Sequence, residues 1–410
     1  MSEVNESVTG PDGQRRTAPA PTESAPPAPA APALRDLIRG EARGSAEVPL
    51  SILDLATVGE GYTPTQALAA TTRLAQDAES WGYHRFWVAE HHGMPGVASS
   101  SPAVLLAHIG AATSTIRLGS GGVMLPNHAP LVIAEQFGLL HALHPHRIDL
   151  GLGRAPGTDP ATAAALRRRH GGEQDPDDFP YQLSELLHFL DADFPPGHPY
   201  ERLRAVPGES NAPGSGRPPV WLLGSSGFSA QLAGRLGLPF AFAHHFSARN
   251  TVPALDLYRE TFRPSEVLDE PYALIGVGAV AADSEREARR LAMSGALNML
   301  RLRRGAPGLV PTPEEAEAFP YSELERDFID SWLANVILGD REQVREGLTE
   351  LRKRTGADEL MITSNVHGHE ARNRSYRLIA EAHGLVPAGE ATGTDAADSA
   401  APAAAGAPTA

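Results

Sequence analysis

Two hydrophobic spacings alternate along the chain from Val48 onward. Short apolar runs rich in aliphatic, β-branched and aromatic residues suit buried strands, whereas longer segments with apolar residues every three or four positions are typical of amphipathic helices. The pattern predicts eight strands, at Leu50–Ala56, Arg85–Glu90, Ile116–Met124, Arg147–Gly153, Pro219–Leu223, Leu238–Ala243, Tyr272–Ala282 and Glu359–Thr363. Helices are predicted between successive strands.

This alternation predicts the fold class. Strands joined by crossover helices pair in parallel, because each helix returns the chain to the same end of the sheet. Eight such units predict an α/β fold of the (β/α)8 or TIM barrel type, with its active site at the carboxyl ends of the strands. A doubly wound open sheet is the alternative, but the first strand-to-helix turn lacks the G-x-G-x-x-G pattern of dinucleotide-binding folds.

Composition divides the chain into one domain and two tails. Residues 1–47 and 388–410 are rich in Pro, Ala and Gly and lack apolar periodicity, which predicts disordered tails. Residues 48–387 contain no linker and are predicted to form a single barrel domain. Residues 156–215, after the fourth strand, are predicted to be a long insertion with one helix, a candidate lid.

The residue content excludes several classes of function. The net charge of −15 argues against a nucleic acid or an anionic membrane as partner. The chain has no cysteine, and its one lysine, Lys353, lies in a solvated Arg352–Arg354 run, so thiolate and Schiff-base chemistry are not expected. Neither a secretory signal nor an apolar run of about 20 residues is present, which predicts a cytoplasmic protein.

The second predicted strand ends in ionisable residues. Arg85–Val88 is apolar and aromatic, and Glu90, His91 and His92 follow at its carboxyl end. A barrel enzyme presents its chemistry at this position, so His91 is a candidate catalytic residue and Glu90 a candidate site residue, with satisfied loop histidines as the alternative for His91 and His92.

The third strand contains an unusual number of glycines. Gly119, Gly121 and Gly122 precede Met124 in this strand. Glycine weakens a strand and often marks a close approach of another group or a bulge. We interpret the run as a surface for a flat ring, with a bulge as the alternative.

Two further strand ends predict an anion site. Gly153 leaves space beside Arg154, whose guanidinium suits a phosphate. The fifth strand ends in Gly224–Ser225–Ser226–Gly227 before a helix, and the free N–H groups of a helix start bind anions. Together these residues predict phosphate capture.

The histidines do not predict a metal site. His141, His144 and His146 close a helix, and His244 and His245 follow the sixth strand as a further pocket candidate. The sequence lacks H-E-x-x-H, and the first strand lacks H-x-H. No metal is therefore expected.

These motifs, in this order, resemble the luciferase-like flavin monooxygenases, in particular their single-chain, alkanal-monooxygenase-like branch. The resemblance covers about Pro49 to Leu385. The segments that carry it are Ala89–His92, Gly119–Pro126 with Ala129–Pro130 and Ala134–Gln136, Gly151–Gly157, and Val220–Phe246. It implies a barrel with an insertion and reduced FMN in its mouth, with a homodimer packed through the helices after the second and third strands.

The resemblance also implies roles for single residues. His91 matches the catalytic histidine and Glu90 the carboxylate at the flavin site. Arg154, Ser225 and Ser226, with the backbone of Gly224 and Gly227, would hold the FMN phosphate. The flavin ring would rest on the third strand near Met124, where a cis peptide would fall at Gly121–Gly122. Gly153 stands where luciferase has a cysteine, which argues against light emission.

The mechanism expected from this resemblance is oxygenation of a small organic substrate. FMNH₂ from a separate flavin reductase would react with O₂ at its C4a carbon, and the resulting peroxide would oxygenate the substrate while apolar walls from Met124, Leu125, Phe240 and Phe242 exclude water. Three alternatives remain: a coenzyme F420-dependent hydride-transfer enzyme of the same fold, a metal-dependent barrel hydrolase, and a non-catalytic flavin sensor.

Overall fold

Eight parallel strands close into a barrel in the computed structural model, which describes residues 32–155, 159–167, 178–208 and 216–385. The strands in these ranges are β1 Leu50–Asp54, β2 Arg85–Val88, β3 Arg117–Ser120, β4 Val123–Met124, β5 Ile148–Gly153, β6 Val220–Gly224, β7 Phe240–Phe242, β8 Ala273–Ala281, β9 Val336–Gly339 and β10 Glu359–Thr363. The barrel order is β1, β2, β3, β5, β6, β7, β8 and β10, and pairing of β10 with both β1 and β8 closes it. The predicted fold class is confirmed.

Helices connect the strands and cover the barrel. They are α1 Leu34–Ile38, α2 Pro64–Ser80, α3 Pro102–Ala112, α4 Pro130–Leu143, α5 Pro160–Arg167, α6 Phe179–Asp191, α7 Gly227–Leu236, α8 His244–Ser247, α9 Thr251–Thr261, α10 Glu285–Arg303, α11 Pro313–Ala318, α12 Glu323–Leu333, α13 Arg341–Thr355 and α14 His369–Ala382. Capping boxes begin α2 at Thr63 and α13 at Asp340, so local sequence sets these boundaries. No described helix is long and apolar enough to cross a membrane.

Two strands differ from the prediction. The third predicted strand is interrupted at the cis peptide bond Gly121–Gly122, and its second part, β4, pairs with β5 alone. β9 was not predicted, because its short apolar run follows α12 and is too brief to be told from a helix end. It pairs with β8 and lies outside the closed barrel.

The predicted tails and insertion are described only in part. The prediction of disorder up to residue 47 is wrong for residues 32–47, because α1 buries Ile38 completely and the Ile38 carbonyl accepts a hydrogen bond from Arg85 at 2.6 Å. Residues 1–31 and the tail from residue 388 lie outside the described residues. Of the insertion, residues 156–158, 168–177 and 209–215 also lie outside them, and α6 packs against α4.

A buried network of charges fills the amino-terminal half of the barrel. Arg85, fully buried, donates to Asp149 on β5 at 2.7 Å and to Glu359 on β10 at 2.8 Å. Arg117 on β3 pairs with the second oxygen of Asp149, and Trp87 donates its indole N–H to the same carboxylate. Burial opposes ionisation of Asp149, but Arg117 and Arg85 hold its pKa below the usual range. Two cations and two anions therefore connect β2, β3, β5 and β10.

We expect Asp149→Asn to lower the free energy of unfolding by about 3–5 kcal/mol, because it leaves two buried guanidinium groups without their shared counter-charge. Urea unfolding followed by circular dichroism measures the change. Asp330→Asn is the control, since Asp330 pairs with Arg289 on the surface and its loss should cost at most about 1 kcal/mol. Equal effects of the two substitutions would contradict the role given to the network.

Candidate functional site

One cavity of about 270 Å³ lies at the carboxyl ends of the barrel strands. Its wall is mostly apolar, with polar groups on two sides, as in many small-molecule sites. It is lined by Leu53, Leu55, Trp87, Ala89, His91, Gly121, Gly122, Met124, Gly153, Arg154, Ala155, Leu223, Gly224, Ser225, Ser226, Ser229, Ala241, Phe242, Ala243, His245, Phe246, Leu274, Gly276, Met361, Thr363 and Asn365. Groups from different strands thus converge at the end of the barrel where a site is expected.

His91 presents an unsatisfied imidazole to this cavity. Its backbone N–H donates to the Ser99 carbonyl at 3.0 Å, which fixes the residue just beyond β2. Its Nδ1 atom is buried without a hydrogen-bond partner among the described residues. Burial lowers the pKa of His91 to about 4, so the ring is neutral near pH 7. A neutral, partly desolvated imidazole can accept or donate one proton to a bound ligand.

Glu90 lies behind the cavity wall and does not line it. One carboxylate oxygen is 2.8 Å from a ring nitrogen of His92 and of His128, and the other accepts the Met124 backbone N–H at 3.0 Å. Burial would raise the pKa of Glu90, but these hydrogen bonds hold it below its ordinary value. Both oxygens are hydrogen-bonded to protein groups, so Glu90 positions Met124 at the end of β4, and its role at the flavin stays a prediction.

The glycines of the third strand make room for the barrel's own side chains. A Cβ atom on Gly121 would lie 2.7 Å from the Leu53 side chain, and one on Gly122 would lie 2.8 Å from the Gly151 carbonyl. Neighbouring protein groups therefore account for these glycines without a bound ring. Both residues nevertheless line the cavity, as predicted.

A cation and a helix start lie together on the opposite side. The Arg154 guanidinium is 4.3 Å from the centre of the Phe228 ring and forms no ion pair with any described residue. Ser225 and Ser226 lie between β6 and α7, and the Ser226 side chain does not cap this helix. A positive charge held by an aromatic ring, hydroxyl groups and free N–H groups suit an anionic group of a ligand.

His245, which the sequence identified only as a pocket candidate together with His244, also lines the cavity. Its Nδ1 atom is 2.9 Å from the Gly276 carbonyl on β8, and the ring faces the cavity. The adjacent His244 is buried and bonded to Thr251 at 2.8 Å, so only the second histidine of the pair reaches the cavity. The double histidine after the sixth predicted strand was the available signal, but it could not show which ring turns inward.

Most of the predicted site residues meet in this one cavity. His91, Gly121, Gly122, Met124, Arg154, Gly224, Ser225 and Ser226 all line it. Glu90 and Gly227 lie outside the lining, and Gly227 is the first residue of α7. Of the predicted apolar walls, Met124 and Phe242 line the cavity, whereas Leu125 and Phe240 belong to the core. The described parts of the insertion, residues 159–167 and 178–208, contribute no lining residue.

Comparison with known proteins agrees with this geometry. The family model described as luciferase-like monooxygenase matches residues 48–359, which include every strand of the barrel except β10, of which only the first residue is matched. The chain belongs to the luciferase-like monooxygenase family. A protein of Escherichia coli (strain K12) named luciferase-like monooxygenase is 46% identical over 331 residues, which cover 81% of this chain and 96% of the relative. The N-acetyl-S-alkylcysteine monooxygenase of Bacillus subtilis (strain 168) is 37% identical, covering 81% and 97%.

Solved structures of this fold bind two kinds of cofactor. Apo-MsnO8 superimposes with a TM-score of 0.74 at 39% identity, covering 83% of this chain and all of that one. The oxygenating constituent of 3,6-diketocamphane monooxygenase, in complex with FMN, has a TM-score of 0.59 at 17% identity, covering 82% and 97%. An F420-dependent secondary alcohol dehydrogenase has a TM-score of 0.55 at 15% identity, covering 82% and 99%, so these two show the fold alone.

Proposed function

We propose that the protein is an FMN-dependent monooxygenase that oxygenates a small organic substrate. In the net reaction, reduced FMN supplies two electrons, one oxygen atom of O₂ enters the substrate and the other leaves as water. The observation that carries the proposal is the joint presence, in one cavity, of the Arg154 guanidinium, which has no ion-pair partner in the part of the chain that the structure describes, and the His91 imidazole, whose Nδ1 has no hydrogen-bond partner there. These two groups suit the phosphate and the reacting end of a flavin.

The family relatives support oxygenation, since two proteins 37–46% identical over nearly their whole length are named monooxygenases. FMN would supply redox chemistry with O₂, and the protein would supply binding and exclusion of water. Arg154, Ser225 and Ser226 would hold its phosphate, with the ring between β4 and the apolar side chains of Leu223 and Phe242. A separate reductase would deliver the reduced cofactor.

The phosphate assignment makes a prediction about cofactor affinity. We expect Arg154→Met to weaken FMN binding by at least about tenfold but to leave riboflavin binding unchanged, because only FMN carries the phosphate. Fluorescence titration of both flavins measures the difference. Arg235→Met is the control, since Arg235 is exposed in the last turn of α7 and should not affect either affinity. Equal losses for both flavins would show that Arg154 does not contact the phosphate.

The role of His91 makes a prediction about turnover. With reduced FMN, O₂ and N-acetyl-S-methylcysteine, the wild-type protein should form the sulfoxide, and His91→Ala should lower its rate by roughly 10²-fold while FMN affinity stays within about twofold. Product is measured by mass spectrometry, with His188→Ala as control for loss of a surface histidine. Normal turnover of His91→Ala would remove His91 from the mechanism.

A stopped-flow absorbance spectrum in the same mixture tests for the oxygen adduct at the flavin C4a carbon.

Coenzyme F420-dependent hydride transfer is the second candidate, because dehydrogenases with this cofactor share the fold. Titration with F420 under the same conditions distinguishes the two. Tight F420 binding, with FMN binding weaker, would favour the dehydrogenase.

We also propose that the protein is a homodimer, because two of its helices expose apolar side chains to solvent. α3 and α4 are apolar on nearly every face, which is typical of fully buried helices. Yet they expose four large apolar side chains to solvent: Val104, Val132, Leu139 and Leu143. A second copy of the chain would cover this surface.

We expect the wild-type protein to sediment as a dimer, at twice the chain mass of 43.4 kDa, and the double variant Val104→Glu/Leu139→Glu to sediment as a folded monomer. Sedimentation velocity measures the masses. Leu324→Glu is the control, because Leu324 is 82% exposed on α12, away from this surface. A wild-type monomer, or a dimer unaffected by the double change, would overturn the assigned interface.

A further inference from the structure

The barrel wall changes partners along β8. Residues Ala273–Ile275 pair with β7, and residues Gly278–Ala281 pair with β9. Both partners lie on the same edge, because β10 occupies the other edge from Leu274 to Gly278. Between Ile275 and Gly278 this edge has no paired strand among the described residues, which leaves a step in the wall.

His245 fills this step with its ring. The Gly276 carbonyl, at the step, can only accept a hydrogen bond, so the Nδ1 atom of His245, 2.9 Å away, carries the proton. The Nε2 atom of a neutral ring then keeps its lone pair. Gly276 permits the contact, since a Cβ atom there would lie 3.1 Å from the His245 ring.

A small side pocket lies behind His245. It contains about 20 Å³ of free space, enough for one group of the size of a water molecule or a methyl group. Its remote wall is apolar and consists of Val280, Ala292, Met299, Trp332 and Val336. Four residues, His245, Phe246, Thr363 and Asn365, line both this pocket and the main cavity, so the two spaces meet there.

The segment that forms this pocket is additional to the eight barrel units. α10 supplies Ala292 and Met299, α12 supplies Trp332 and β9 supplies Val336. Gly295 lets α10 approach the loop after β10, because a Cβ atom there would lie 3.2 Å from the Trp332 ring and nearer still to the Asn365 backbone. The pocket is therefore tightly packed, and a group that is too large cannot be accommodated by a small shift.

We propose that the side pocket binds a short aliphatic group of the substrate, and that His245 accepts a hydrogen bond at Nε2 from an N–H or O–H group next to it. This inference rests on the proposed function, in which the main cavity holds the flavin. The substrate class is then a small molecule that combines an alkyl group of one or two carbons with a nearby donor.

The test uses N-acetyl-S-alkylcysteines with methyl, ethyl, butyl and benzyl groups as probes, because they combine an alkyl series with an amide N–H. Binding to the FMN-loaded, oxidised protein is measured by calorimetry, so the readout does not require turnover. Methyl or ethyl should bind best to the wild type, with about a tenfold loss for butyl.

Two variants change the size of the pocket in opposite directions. Gly278→Ala adds a methyl group whose nearest neighbour would be Val336 at 3.5 Å, an ordinary contact, and should lower ethyl affinity about tenfold relative to methyl. Met299→Ala enlarges the pocket and should shift the preference toward butyl by a similar factor. Met293→Ala, on the same helix but outside the pocket lining, should keep the wild-type profile.

The role of His245 is tested by N-methylation of the probe amide, which removes the donor. Methylation should weaken binding to the wild type about tenfold and leave binding to His245→Leu unchanged. The proposal would be overturned if affinity depended on alkyl length in the same way in the wild type, Gly278→Ala, Met299→Ala and Met293→Ala. It would also be overturned if no probe bound to the FMN-loaded wild type. Length-dependent binding without sulfoxide after addition of reduced FMN and O₂ would instead refute the proposed function and leave the pocket assignment standing.

Discussion

The fully buried ion network around Arg85 is the constraint on which the rest of the structure depends. Desolvating a guanidinium is costly unless it is paired and hydrogen-bonded, and each of the three nitrogens of Arg85 donates to one partner: Glu359, Asp149 or the Ile38 carbonyl. Its partners belong to β5, β10 and the segment that ends α1. These contacts tie β2 to the strands two positions away on either side of it, in the amino-terminal half of the barrel.

The network also determines where the cavity begins. Trp87 donates to Asp149 from above and packs edge to face against Trp221, with ring centres 5.3 Å apart. The opposite surface of Trp87 lines the cavity, beside Gly121. The rings of Trp87 and Trp221 therefore lie between the charged half of the barrel and the half that contains the cavity. The first half contains buried ion pairs and the second a mostly apolar cavity. Trp87 contacts both, because its indole N–H donates to Asp149 and its ring lines the cavity.

The sequence was sufficient to predict those elements whose bounds are determined by their own residues. The bounds of β10 were predicted to the residue, since aliphatic and β-branched residues fill the strand. Strand ends rich in Gly, Ser, His and Arg also identified most of the residues that line the cavity. What could not be predicted depends on contacts between distant segments: β9 requires β8 as its partner, and the hydrogen bonds of Glu90 come from His128 and Met124.

The segment that ends in β9 can change in sequence independently of the groups suited to a phosphate. The groups suited to a phosphate follow β5 and β6, which lie three and two positions from β8, the strand that the helical segment follows and that pairs with β9. Residues 285–339 could therefore be exchanged or repacked without touching Arg154 or the start of α7. Substrate selectivity can then diverge between related proteins while the groups suited to a phosphate stay the same. One barrel can therefore serve enzymes that act on different compounds.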